Sequence, residues 1–220
     1  MEQRFRKDYP GEFVILENRW INGRKEQTRE WIDNPIQNHH ISGRAVVIGS
    51  RVDKEHFDYT RLQKHRGGLL GKKRLQTYTA GNIWQDLTAD FVVEMDDAGL
   101  TDIITANYAE QNIVYTTARN CIKHPGEFYL IPFAPRIDIL AMPIYLAAFD
   151  GHEEIFLLGY SNETTSGDKN WHSHIYTLLG AYPGVKFYFV GTESNVPAAW
   201  RQRVNVSCMT YREFVSYCDV

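Results

Sequence analysis

The chain has 220 residues, 43% of them hydrophobic and 23% charged, with a formal net charge of -3. That balance fits an ordinary globular chain of one domain plus a short appendage, and excludes the disordered class. No uncharged apolar run approaches the ~20 residues that span a bilayer, and no global basic field argues for nucleic acid or anionic lipid. Cys121, Cys208 and Cys218 are odd in number and lack metal-ligand spacing, so reduced thiols are expected rather than a disulfide framework. Met1–Asp8 is polar and Pro10 follows, so no secretory leader is signalled and a cytoplasmic location is expected.

The first 42 residues read as an extension. Phe13–Leu16 is a short apolar run, and Asn22-Gly23 after Trp20 and Ile21 is a hairpin turn signal. Glu26–Ile32 then returns as a second strand; the alternative is a short helix over Lys25–Ile32. From Gly43 the rhythm changes. Ala45–Ile48, Phe91–Val93, Ile113–Thr117, Ile155–Leu158, Lys186–Val190 and Asn205–Met209 are apolar on both faces, which predicts buried parallel strands. Asp138–Phe149, Trp171–Gly180, Ala198–Arg203 and Tyr211–Tyr217 read as helices, with Pro143 kinking the first or marking its true start. Strand and helix in alternation predict an α/β, Rossmann-like, mostly parallel sheet with flanking helices over residues 43–220. A small β-hairpin-like extension precedes it over residues 1–42.

In such a sheet, ligands bind beyond the carboxyl ends of the strands. That rule selects loops. Gly49-Ser50-Arg51 follows the first strand, where glycine permits close backbone approach and Ser50 and Arg51 suit a phosphate. Arg61–Arg74 holds six cations (Arg61, Lys64, Arg66, Lys72, Lys73, Arg74) and no acid, with Gly67-Gly68 inside it. The weak net charge is therefore a cancellation, +6 here against -9 elsewhere, and the segment is a phosphate or nucleic-acid footprint or a solvated face. Glu94-Met95-Asp96-Asp97 offers strand-end carboxylates to a divalent cation or, more ordinarily, caps a helix. Gly159-Tyr160-Ser161 opens a long polar loop that reaches His172 and His174 near a helix start. A histidine there suits general-base chemistry at neutral pH. Two positions apart on a helix they diverge, so no metal site is expected.

The order of these segments resembles the family 42 sialyltransferases, bacterial enzymes of lipo-oligosaccharide synthesis. The resemblance runs from Ala45–Ser50 through KEHFDYTRL (Lys54–Leu62), LGKK (Leu70–Lys73) and YTAG (Tyr78–Gly81). It continues in YLAAFDGHEEIFLLG (Tyr145–Gly159) and in His172-Ser173 with the strand at Lys186–Val190, covering about residues 43 to 195. It implies a Rossmann-like fold, a CMP-sugar or other nucleotide-sugar donor, no required cofactor and metal-independent chemistry. His172 is the implied catalytic base for a hydroxyl acceptor. The implied donor contacts are Gly49, Ser50, Arg51, Arg66, Gly68, Tyr78, Gly81, Gly159, Tyr160 and Ser161. The chain departs from the family in several places. Its first loop has one glycine, Arg66-Gly67-Gly68 replaces an Arg-x-Asn-like element, Ile139-Leu140 stands where a Ser-Gly pair opens a helix, and Ser161 replaces an acid.

Three functional expectations follow. One is a glycosyltransferase acting on a glycan or nucleic-acid hydroxyl. The second is a non-catalytic nucleotide-binding or interaction protein on the same fold. The third is a nucleic-acid-modifying protein using residues 61–74. A homo-oligomer is compatible with all three.

Overall fold

Ala45–Ile48 has no polar side chain on either face, so it is stable as a strand only with cover on both sides. The computed structural model, which describes residues 2–5, 12–33, 42–49, 52, 57–65, 75–132, 136–160 and 170–220, puts it at the centre of a fully parallel sheet. The strands are β4 (Arg44–Ile48), β5 (Gln76–Ala80), β6 (Phe91–Val93), β7 (Ile113–Thr116), β8 (Tyr129–Leu130), β9 (Glu154–Leu158), β10 (Lys186–Val190) and β11 (Val206–Met209). Their order is β11-β10-β9-β4-β5-β6-β7-β8, and each pairing is parallel. Around the sheet run α1 (Asp97–Thr105), α2 (Ala118–Lys123), α3 (Met142–Phe149), α4 (Asn170–Ala181), α5 (Ala198–Arg201) and α6 (Tyr211–Cys218). This is the expected α/β architecture.

Alternate residues of the strands supply cores on the two faces of the sheet. Ala45, Val47, Tyr78, Ile155 and Leu157 pack against α3, α4 and Trp200 of α5. Val46, Ile48, Phe156 and Leu158 pack on the opposite face against Phe57, Leu62 and Phe214 of α6. On that second face, Arg44 Nε donates to Glu154 Oε2 at 2.8 Å. Glu154 Oε1 accepts from Tyr217 at 2.9 Å and Tyr188 at 3.3 Å. Burial acts to raise the Glu154 carboxyl, but these partners outweigh it and hold it below its usual value. No helix among the described residues is long and apolar enough to cross a membrane.

Ahead of this sheet, β1 (Glu2–Phe5), β2 (Glu12–Ile21) and β3 (Arg24–Asp33) form a separate antiparallel sheet in the order β1-β2-β3. Asn22 and Gly23 both have positive φ, 51° and 74°, and Ile21 pairs with Arg24. Such a two-residue turn matches strand twist, so Lys25–Ile32 is strand rather than helix. β1 is an additional strand beside the expected hairpin.

Two other strands were not anticipated, β5 and β8. β5 looks polar in sequence, yet Gln76, Thr77 and Thr79 are buried. Neighbours satisfy the threonines: Thr77 donates from N and Oγ1 to Asp90 Oδ2, and Thr79 Oγ1 donates to Ile48 O. The apolar stretch from Asp138 becomes helix only at Met142, with Pro143 in its first turn, where a missing N–H costs nothing.

Candidate functional site

The chain leaves β4 toward β5 and the β8 edge, then returns through α3 to β9, which lies on the other side of β4. Connections from β4 and β9 therefore diverge, and the crevice between their carboxyl ends is the topological switch point of the sheet. Gly49 and Gly159 stand directly after these two strands. Gly49 N donates to Leu158 O at 2.8 Å. A Cβ on Gly49 would sit 2.9 Å from Gly159 O, 3.1 Å from the Tyr160 ring and 3.2 Å from Leu158 O. Only glycine lets the backbones approach so closely. Gly159 itself has φ 77°.

Tyr160 closes one wall. Its hydroxyl donates to Leu140 O at 3.0 Å, and burial, with Asp138 nearby, pushes its pKa well up, so it stays protonated. The turn that holds Leu140 is fixed twice more. Leu140 N donates to Asp138 Oδ1, and Asp138 N donates to His174 Nδ1 at 3.0 Å. His174 thus spends its Nδ1 lone pair on the backbone. His172 lies two positions earlier on α4 and faces elsewhere, with its ring 3.9 Å from Trp171 and 5.3 Å from Trp200 of α5. The two histidines diverge as their helical spacing predicts.

Beside Gly49 is a cavity of about 200 Å³ lined by Gly49, Val52, Tyr59, Asn82, Gln85 and Asp86. It is smaller than the roughly 300–1,000 Å³ of most small-molecule sites, enough for one ring of a ligand. Tyr59 donates to Asp86 Oδ2 at 2.7 Å across its rim. Gly81, with φ 64°, turns the chain out of β5 toward Asn82, and a Cβ there would meet nothing within 4 Å.

Of the residues expected to form the site, Gly49, Gly159 and Tyr160 meet directly, and Gly81 sits at the neighbouring strand end. His172 occupies the α4–α5 contact. Tyr78 lies in the core, 0% exposed, with its hydroxyl near Asp150 and His152. Ser50, Arg51, Arg66, Gly68 and Ser161 lie outside the described residues, as does the basic run from Arg66 to Arg74. Arg61 donates to Val220 O at 3.0 Å. The Glu94–Asp97 carboxylates serve the start of α1. Asp96 accepts from Ala98 N, Glu94 Oε1 accepts from Met95 N and Asp96 N, and Asp97 pairs with Lys123 at 3.0 Å. Cys121, Cys208 and Cys218 are free thiols. Sequence reasoning did not single out Tyr59, Asn82, Gln85 and Asp86. The available signal was the Gly81-Asn82 pair directly after β5, masked because β5 itself looked polar.

No protein-family model and no curated protein sequence matches the chain. Among solved structures, it is similar to the sialyltransferase CstII from Campylobacter jejuni in complex with a substrate analogue, cytidine-5'-monophosphate. The match has 15% identity and a TM-score of 0.42, and covers 66% of this chain and 79% of that one.

Proposed function

We propose that the protein is a glycosyltransferase-like enzyme that takes a nucleotide-activated sugar, of CMP-sugar type, at the β4–β9 switch point and passes the sugar to a hydroxyl acceptor. The observation that carries this reading is the close Gly49–Gly159 approach at the point in the sheet where connections diverge. The nucleotide lies along Gly49, Ser50 and Gly81, with one ring directed to the Asn82–Gln85 cavity. By residue type, Arg66 or the Lys72–Arg74 cluster is assigned to the charge of the departing phosphate and Gly68 to the nucleotide. His172 takes the proton of the acceptor hydroxyl as that oxygen attacks the anomeric carbon, and the nucleotide leaves with the bonding electrons.

Calorimetry with CMP tests the binding step, and mass spectrometry of a CMP-sugar with candidate acceptors tests transfer. His172→Ala should lower transfer by about 10²–10⁴-fold with CMP affinity nearly intact. An unchanged transfer rate removes His172 from the chemistry. A second reading, nucleotide binding without transfer, is favoured by the packing of His172 against Trp171 and Trp200; it requires CMP affinity with no turnover. Absence of CMP binding sinks both.

A further inference from the structure

Asp150 closes α3, and His152 stands two residues later, before β9. Both meet Tyr78 of β5. The Tyr78 hydroxyl lies 2.6 Å from Asp150 Oδ2 and 2.9 Å from His152 Nε2. His152 Nδ1 is 2.8 Å from the carbonyl oxygen of Ser42, just ahead of β4. Tyr78 and His152 are 0% exposed and Asp150 3%. The cluster is therefore closed to substrates, and it needs another explanation.

Its hydrogen bonds run in one direction. A carbonyl oxygen only accepts, so His152 Nδ1 carries a proton. Neutral imidazole then offers a lone pair at Nε2 and accepts from Tyr78. The single proton of that hydroxyl is then committed, so the Tyr78–Asp150 contact needs a proton from Asp150. Carboxylate beside neutral imidazole would leave one contact with two acceptors face to face. An imidazolium–carboxylate pair would satisfy the atoms but bury two charges. Among the described residues, the other groups close enough to feel Asp150 are Tyr115 of β7, Tyr145 of α3 and Tyr182 after α4, with Asp90 near Tyr78, and none of these is a cation.

We propose that Asp150 is held as a neutral carboxylic acid, first donor of the chain Asp150→Tyr78→His152→Ser42, a pH-sensitive latch that ties the end of α3 to the amino ends of β4 and β9. Burial pushes the Asp150 carboxyl up to about 7, against the lowering effect of Tyr78. An aspartate in the unfolded chain titrates near 3.9. The contribution of Asp150 to stability is thus complete below about pH 4 and is lost as pH rises through about 7.

Asp150→Asn replaces the acid by a permanent N–H donor. In urea unfolding from pH 4 to 9, the ratio of unfolding constants should move about tenfold per pH unit in favour of the variant up to pH 7, then level. Unfolded-state titration of His152 occurs in both chains and cancels. A ratio constant over that range overturns the latch. ¹⁵N-histidine NMR of the unaltered protein at pH 6 gives a readout independent of any variant. One protonated and one unprotonated ring nitrogen is expected for His152, whereas two protonated nitrogens would reveal the ion pair and overturn a neutral Asp150.

Discussion

At their carboxyl ends β4 and β9 finish in Gly49 and Gly159, with a small cavity beside Gly49. At their amino ends the same strands are pinned on both faces. The Tyr78–Asp150–His152 cluster lies on one, and Arg44, Glu154, Tyr188 and Tyr217 on the other. The two ends use polar groups for opposite purposes. Where polar atoms are satisfied inside the protein, each carries a large penalty for disturbance because water cannot replace a lost partner. Where polar atoms line an open cavity, water or a ligand can replace a lost partner. In this fold the end of the sheet that holds is separated from the end proposed to bind.

The largest expected effect comes from breaking the closed end. Tyr78→Phe keeps the ring among Phe91 and its neighbours but strips the shared partner from Asp150 and His152. Each buried polar group left unpaired costs about 1–3 kcal/mol, so a loss of about 3 kcal/mol is expected in urea denaturation at pH 6. A loss under about 1 kcal/mol would mean that water enters the cluster. Gly49→Ala tests the open end. Two of the three atoms its methyl group meets are backbone oxygens, which cannot rotate away as a side chain can. Overpacking of this kind costs about 1–3 kcal/mol. We expect about 2 kcal/mol, together with weaker CMP binding. Unchanged stability and unchanged CMP affinity would show that the β4–β9 approach is slack.

The sheet was legible because six of its eight strands are apolar on both faces, a pattern that parallel burial imposes. The crevice was legible as far as Gly49, Gly159 and Tyr160, since strand-end glycines mark where backbone must come close. The latch was not. Asp150-Gly151-His152 reads as a polar turn between an apolar helix and an apolar strand, and only the return of α3 across β5 brings Tyr78 to it. The 13 tyrosines were a visible excess without a role. Among the described residues, the hydroxyls of Tyr59, Tyr78, Tyr145, Tyr160, Tyr188 and Tyr217 make hydrogen bonds within the fold. Sequence periodicity reports which face a ring occupies, but not which distant oxygen its hydroxyl will meet.

Tyr59→Phe sharpens the contrast, because it is the same chemical change as Tyr78→Phe made at the open end. The Tyr59 ring is buried and stays packed with Phe57 and Leu62, so no cavity forms. Its hydroxyl reaches Asp86, which is exposed, and water can take over the lost bond. A hydrogen bond so replaced is worth about 0.5–1 kcal/mol, several-fold less than the loss expected at Tyr78. Urea denaturation of the two variants side by side compares the ends directly. Equal losses would mean that the cavity beside Gly49 is as closed to water as the latch, and the division between a binding end and a holding end would fail.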